Sequence, residues 1–280
     1  MKIINAGKIS AAVAQLCLKA NYSLRSDVLA KIKSAYKNEA DRKAKAALKA
    51  IVDNAEIARR DKLAICQDTG LPIVFAEIGQ DVRIKGDLRK AIDKGIVKGY
   101  KQGSFRESIV CNPLKRDKSS HQGAVIHTEI VKGDKIKITV MPKGFGCENK
   151  SILKMFLPTA GIDEIKDFVI ETVRNVGPDA CPPYVVGVGI GGGADLACLM
   201  SKKALLRRIT IYGLRITDYV SKIESDLLDD INKLKIGPMG LGGKATALAV
   251  NIETYPTHIA GLPVAVNLSC HALRSATKIL

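Results

Sequence analysis

Seven cysteines are the residues of this chain best suited to chemistry, because a thiolate can act as a nucleophile or bind a metal ion. Their odd number and irregular spacing argue against a disulfide framework. Four lie in short segments rich in Gly, Pro and polar residues: Cys66, Cys147, Cys181 and Cys270. These four are the metal candidates. No two cysteines have Cys-x-x-Cys spacing, so a metal site would have to be assembled from distant parts of the chain.

The other three cysteines occupy positions that predict packing. Cys17 and Cys198 lie among apolar residues of predicted helices, and we expect both in the core, where unpaired cysteine is common. Cys111 follows Ser-Ile-Val and is predicted at the end of a strand.

The elements that must position these residues indicate an α/β fold of the mixed α+β kind. Residues 1–60 repeat apolar side chains at three- and four-residue steps, which predicts a helical N-terminal layer or entry region. Later runs predict strands at 73–78, 125–131, 136–141 and 184–190, and helices at 165–173 and 220–234. The second and third of these strands flank Lys-Gly-Asp-Lys, a hairpin signal. We expect a single domain over residues 1–280, with a mixed sheet after the helical layer.

The composition is basic, with 44 Lys and Arg against 28 Asp and Glu and a formal charge of +16. Such a charge can serve nucleic acid, an acidic partner or an anionic substrate. The basic residues are scattered, Trp is absent and aromatics make up 4%, so a nucleic-acid-binding protein is the more distant alternative. No stretch approaches the roughly 20 apolar residues of a membrane span, and no signal sequence is evident. We therefore expect a cytoplasmic protein that binds neither membrane nor nucleic acid.

Four segments surround the metal candidates and carry a resemblance. They are Cys-Gln-Asp-Thr-Gly at 66–70, Pro-Lys-Gly-x-Gly-x-Glu-Asn-Lys-Ser at 142–151, Cys-Pro-Pro-x-Val-Val-Gly-Val-Gly-Ile-Gly-Gly at 181–192 and His-Ile-Ala-x-Leu-Pro-Val-Ala-Val-Asn-x-x-Cys at 258–270. Together they resemble the N-terminal, cluster-binding region of class I, iron–sulfur fumarate hydratases and L(+)-tartrate dehydratases.

The resemblance implies a [4Fe–4S] cluster with three cysteine ligands: Cys66, Cys181 and Cys270. Cys147 stands where the family commonly has Ser, so we expect it to lie near the site as a bystander. Three thiolates leave one iron open as a Lewis acid that eases loss of hydroxide. The implied function is a hydro-lyase subunit that interconverts fumarate and L-malate, with L-tartrate dehydratase as the alternative.

The same resemblance assigns residues to the substrate. It places Gln67 and Asp68 beside the substrate, Arg106 as a carboxylate clamp, and Asp68 and His258 in the catalytic proton transfers. His121 is only a candidate, because its segment departs from the family's Gly-Asp-Asn-type turn.

Residue chemistry without the resemblance leaves simpler alternatives open for three of these side chains. Asp68 can cap the turn at Thr69-Gly70, Arg106 can form a surface ion pair, and His258 can be a satisfied core histidine.

Single-chain members of the family have a further domain that supplies more substrate-binding Arg and Lys residues and the assigned base. The resemblance therefore implies that this chain is an α subunit, active only with a separate β subunit, in an α2β2 heterotetramer. The substrate is expected to be a small dicarboxylate.

Two glycine-rich segments suggest a competing class. Residues 187–192 fit Gly-x-Gly-x-x-Gly, the dinucleotide-binding pattern, but after Asp195 the next acidic residue is Asp218, beyond the expected ribose-binding position. Residues 237–243 lead into Gly-Lys-Ala rather than Gly-Lys-Ser or Gly-Lys-Thr, so a phosphate-binding P-loop is not expected.

Overall fold

A computed structural model of the chain describes residues 2–209 and 219–280. The chain divides into two compact units, described separately below. Unit 1 comprises Met1–Arg25, Asn54–Phe145 and Arg274–Leu280, and unit 2 comprises Ser26–Asp53 and Gly146–Leu273. The predicted helical region 1–60 is thus shared between the units. The single domain over 1–280 stays a prediction.

The elements are a mixture of helices and strands, which confirms the α/β prediction. In chain order the helices are α1 (Ala6–Tyr22), α2 (Ser26–Asn38), α3 (Arg42–Asp61), α4 (Leu88–Gln102), α5 (Phe145–Glu148), α6 (Ile162–Val176), α7 (Ala194–Ala204) and α8 (Tyr219–Lys233). The strands are β1 (Lys2–Asn5), β2 (Leu71–Gly79), β3 (Val82–Lys85), β4 (Ile109–Val110), β5 (Ser119–Ser120), β6 (Val125–Val131), β7 (Ile136–Lys143), β8 (Ile152–Phe156), β9 (Tyr184–Gly192), β10 (Ala247–Thr257), β11 (Leu262–Ser269) and β12 (Ala276–Ile279). Within the two described ranges, no helix is both long and apolar enough to cross a bilayer.

Unit 1 is built on a four-stranded sheet with the order β12-β7-β2-β6. The apolar face of α1, including Ile9 and Val13, packs with Ile92 and Ile96 of α4 over this sheet. Ile9 and Val13 belong to the predicted helical region 1–60, so the periodicity there correctly identified the buried face.

The predicted hairpin of β6 and β7 is wrong, because β2 lies between them. Strand β2 pairs with β6 in parallel and with β7 in antiparallel orientation. Residues 72–76 of β2 are all buried, and such a strand is best satisfied by a neighbour on each side. The link between β6 and β7 passes the end of β2, where Gly79 N donates to Lys135 O at 2.8 Å. A Cβ atom at Gly79 would lie 2.2 Å from the carbonyl oxygen of Gly133.

Unit 2 is built on a second four-stranded sheet with the order β10-β9-β11-β8. Val186 and Val188 of β9 belong to the core that α6 and α8 cover. Gly187 and Gly189 alternate with them and meet α7, where an added Cβ would lie 2.1 Å from a carbonyl oxygen of that helix. These glycines of the predicted dinucleotide pattern therefore allow close packing of α7 on β9.

Candidate functional site

Two of the three predicted cluster ligands meet at one end of the unit 2 sheet, called here the cysteine end. Cys181 shortly precedes β9, Cys270 directly follows β11, and Ser269 of β11 pairs with Val185 of β9. His271 joins the two segments, since its backbone N–H donates to Cys181 O at 3.3 Å and its Nδ1 lies 3.0 Å from the same oxygen.

Cys147 lies against the segment that carries Cys181. Its side chain is 4% exposed on the single turn of α5, and its Sγ donates to the carbonyl oxygen of Ala180 at 3.3 Å. Cys147 therefore touches the backbone next to Cys181, a predicted ligand, and its position near a cluster site stays a prediction.

The remaining cysteines divide differently from the prediction. Cys17 is fully buried, as expected, and burial raises the pKa of its thiol to about 12. Cys198 is exposed, so its assignment to the core is wrong: in the short helix α7 it occupies the solvent side, while Ala197 faces the sheet. Cys111 follows β4, as predicted for the end of a strand.

A polar network that the sequence analysis did not assign lies near the cysteine end. Glu148 forms an ion pair with Lys202 and accepts from Asn267 Nδ2 at 3.1 Å. Asn267 is 1% exposed and also donates to Ser151 Oγ at 2.7 Å. The signal was available, since Glu148 and Asn267 belong to the motifs quoted for the resemblance, but their types alone gave no role.

In unit 1, the segment that holds Cys66 is a loop before β2. Cys66 is half-buried and Gln67 is exposed. Asp68 accepts from Gly70 N at 2.9 Å through Oδ1 and from Phe145 N at 2.8 Å through Oδ2. The turn-capping alternative for Asp68 is thus confirmed, and the two bonds fix the direction of its carboxylate.

Tyr100 links this loop to the other substrate candidates of unit 1. Its buried hydroxyl donates to Thr69 O at 2.9 Å, and Thr69 Oγ1 donates to Arg106 O at 3.2 Å. Burial raises the pKa of Tyr100, so the phenol remains a donor. The His121 ring lies 5.7 Å from the Tyr100 ring. The structure therefore gathers the Asp68 loop, Arg106 and His121 around one tyrosine.

The two basic candidates in this group differ in exposure. The Arg106 side chain is exposed, and its guanidinium has no hydrogen bond or ion pair with any described residue. The surface-ion-pair alternative is therefore not observed over 2–209 and 219–280. His121 is 8% exposed, with Nε2 3.7 Å from Glu107 Oε1 and a buried Nδ1 that has no partner in the described ranges.

A buried arginine that the sequence analysis missed supports the same loop. Arg274 is 2% exposed; its Nη2 donates to Asp68 O at 2.8 Å and its Nη1 donates to Asn21 Oδ1 at 3.1 Å. A buried guanidinium is costly unless it is paired or hydrogen-bonded, so these bonds stabilise it as well as the loop. Only its position shortly after Cys270 hinted at a role.

His258 lies at the opposite end of the unit 2 sheet, called here the histidine end. It directly follows β10, whose last residue Thr257 pairs with Gly192 at the end of β9. The nine residues of β9 rise about 3.3 Å each, so the two ends are roughly 25 Å apart. His258 is exposed, which excludes a core histidine, and its Nδ1 accepts from Ala260 N at 3.1 Å. The neutral ring therefore carries its proton on Nε2.

The donor chemistry of the cysteine end fits part of a cluster site. Iron–sulfur clusters take thiolate ligands, and unit 2 brings Cys181 and Cys270 to one place. Cys66 belongs to unit 1. Among residues 2–209 and 219–280, no group of three His, Cys, Asp or Glu side chains is arranged to hold a metal ion. Unit 2 thus offers two thiols of the predicted three.

A comparison with protein families shows which family this chain belongs to. The model of "Fumarate hydratase (Fumerase)" matches residues 10–278. The chain belongs to the fumarate hydratase family. It is therefore a member of a hydro-lyase family, and the resemblance carried by the four motifs is confirmed.

Several relatives are similar to this chain over almost its whole length. One from Methanocaldococcus jannaschii, provisionally named L(+)-tartrate dehydratase subunit alpha, is 42% identical over 281 residues, which are 97% of this chain and 97% of the relative. Proteins of Escherichia coli and Shigella sonnei named L(+)-tartrate dehydratase subunit alpha are each 28% identical over 278 residues, 98% of this chain and 91% of the relative.

Proposed function

We propose that this chain is the α subunit of a [4Fe–4S]-dependent hydro-lyase that adds water to, and removes it from, a small dicarboxylate. Cys66, Cys181 and Cys270 are the proposed cluster ligands. The observation that carries the proposal is the cysteine end, where His271 bonds the backbone of Cys181 beside Cys270. When bound, a cluster with three thiolate ligands supplies one open iron as a Lewis acid.

The residues around Tyr100 supply the proposed contacts to substrate. Arg106 offers a guanidinium that pairs with no residue of the ranges 2–209 and 219–280, and its planar fork can hold both oxygens of a carboxylate. Gln67 is exposed and offers an amide for a hydrogen bond, while Asp68 is oriented by two backbone N–H donors and can accept a proton. His121 is the weaker candidate, because little of its ring is exposed.

His258 has a proposed role that follows from its separation from the cysteine end. Within one chain, its imidazole is roughly 25 Å from the segment that holds Cys181, if a strand rises about 3.3 Å per residue. A proton cannot be passed directly over that distance. In an α2β2 assembly a second α chain is present, and His258 serves the site of that chain with its exposed Nε2.

The substrate has two candidates. The family description favours fumarate and L-malate, whereas the names of the relatives favour L(+)-tartrate. L-malate and L-tartrate each carry a hydroxyl next to a carboxylate and a removable proton on the neighbouring carbon, so the same residues suit either compound. Fumarate and L-malate remain our first proposal and L-tartrate the second.

The test is anaerobic co-expression of the chain with a candidate β subunit, followed by assays with fumarate, L-malate and L-tartrate. We expect the chain alone to bind a cluster and to have negligible activity, and the pair to convert one of these substrates. Full turnover by the chain without a partner would contradict the need for a β subunit. A pair that carries a full cluster and converts none of the three would contradict the proposed reaction.

A further inference from the structure

The segment around Cys181, residues 177–183 and called here the Cys181 loop, has an unusual backbone for an exposed position. Cys181 has φ of 59°, in the left-handed region that is sterically unfavourable for a residue with a side chain. Such conformations persist when surrounding contacts determine them. The contacts of this loop therefore indicate what fixes the direction of the Cys181 thiol.

Three consecutive carbonyl groups of the loop each have a donor from a different part of unit 2. Ala180 O accepts from Cys147 Sγ at 3.3 Å, and Pro182 O accepts from Met239 N at 2.9 Å. Between them, Cys181 O accepts two bonds from His271. None of these bonds belongs to a helix or to a sheet ladder. They hold the three carbonyls in addition to the turn bonds of the loop, such as Cys181 N to Pro178 O at 3.2 Å.

Two of the donors are side chains and can be replaced without changing the backbone. A carbonyl oxygen only accepts, so His271 must carry a proton on Nδ1 to bond Cys181 O. Cys147 is 4% exposed, and water cannot readily take the place of its S–H. Cys147 therefore holds the carbonyl of Ala180, which precedes Cys181, and His271 holds the carbonyl of Cys181 itself.

We propose that Cys147 and His271 are positioning residues that hold the Cys181 loop in the conformation needed to bind a cluster. The inference rests on the proposed function and gives Cys147 a part beyond that of a bystander. Ser in place of Cys147 keeps a donor at the same position. Asn in place of His271 keeps an N–H close to the position of Nδ1.

The experiment uses the full chain, reconstituted anaerobically with iron and sulfide, in five forms besides wild type. These are Cys147→Ala, Cys147→Ser, His271→Ala, His271→Asn and, as a matched loss of a thiol, Cys198→Ala, which removes an exposed side chain of α7. The measured quantity is the rate at which cluster absorbance and bound iron are lost in air. Thermal unfolding of each apo chain reports whether the variant folds.

We expect the two Ala variants of the positioning residues to lose the cluster about tenfold faster, the size of effect that the loss of one hydrogen bond produces. Cys147→Ser, His271→Asn and Cys198→Ala should stay close to wild type. Cluster lifetimes unchanged in both Ala variants, or Ser and Asn variants as labile as Ala, would overturn the inference. A wild-type chain that takes up no cluster would overturn the proposed function itself. Should Cys147→Ala fail to fold, the half-buried His271 decides the outcome.

Discussion

The two ends of the unit 2 sheet hold their functional candidates in opposite ways. At the cysteine end, the carbonyls of Ala180, Cys181 and Pro182 are bonded by donors from three other segments. At the histidine end, His258 is bonded by Ala260 N within its own loop, and the neighbouring Ile259 is 89% exposed. A metal ligand must be fixed in advance, whereas a residue that serves another chain must project from the surface. The contrast agrees with the proposed roles, a cluster ligand at the cysteine end and a residue that serves a second chain at the histidine end.

The largest expected effect is the loss of the cluster when a thiol of the cysteine end is removed. Cys181→Ser and Cys270→Ser should each abolish the absorbance near about 400 nm that iron–sulfur thiolate ligation gives after anaerobic reconstitution. Cys198→Ser is the control, because it removes an exposed thiol of α7 that is not a proposed ligand, and it should retain the cluster. Retention of the absorbance by both variants would remove the cysteine end from the site.

The next effect concerns the histidine end and distinguishes action within one chain from action between chains. His258→Asn should lower kcat by about a hundredfold or more, since it removes a proton-transfer group. Mixing His258→Asn and Cys181→Ser α chains before assembly with β should then restore roughly a quarter of the wild-type rate, because half the symmetric assemblies are mixed and each of these has one intact site. No recovery above either variant alone would show that His258 does not act between chains.

A smaller effect should appear in stability, since the polar network near the cysteine end includes the buried Asn267, whereas Ile259 at the histidine end is 89% exposed. Glu148→Ala leaves the buried Asn267 and the cation of Lys202 without their shared partner, and should lower the free energy of unfolding by about 1–3 kcal/mol. Ile259→Ser at the histidine end should change it by less than about 0.5 kcal/mol. Urea unfolding of the two apo variants measures both values. Equal losses would mean that the ends do not differ in rigidity.

The smallest effect is a difference in thiol reactivity in the apo chain. The thiolate is the reactive form, and burial raises the pKa of Cys17 to about 12, so its thiol stays protonated as the pH rises through the ordinary range for cysteine. Alkylation at mildly alkaline pH should modify the exposed Cys111, Cys181 and Cys198 before the buried Cys17 and Cys147, as measured by mass spectrometry of peptides. Early modification of Cys147 would indicate that its contact with Ala180 is loose.

Local pattern in the sequence predicted much of the fold but not which elements are neighbours. The helical period of Ile9 and Val13 identified a buried face, because that face depends on residues a few positions apart. The hairpin of β6 and β7 failed, because β2, far away in sequence, pairs with both strands. Residues 187–192 match a nucleotide-binding motif, yet Gly187 and Gly189 are required because α7 packs closely against them. That packing cannot be read from the local sequence.

The candidate site was predicted in part for the same reason. Loop composition selected four cysteines and the resemblance chose three of them, but the meeting of Cys181 and Cys270 is seen only in the pairing of β9 with β11. Arg274 and Tyr100 were missed, because their contacts with the Asp68 loop join residues far apart in the chain. The distance of His258 from the cysteine end could not be predicted either, because it depends on the parallel pairing of β10 with β9.

The interleaving of the two units has a consequence for how the protein is made. Unit 1 contains the N-terminal helix α1, yet its sheet includes β12, which pairs with β7 and comes from residues 276–279. A ribosome must therefore translate past the whole of unit 2 before the last strand of unit 1 exists. Until β12 has been synthesised, one edge of β7 has no partner strand. A chain released before that point would expose this edge to pairing with other chains.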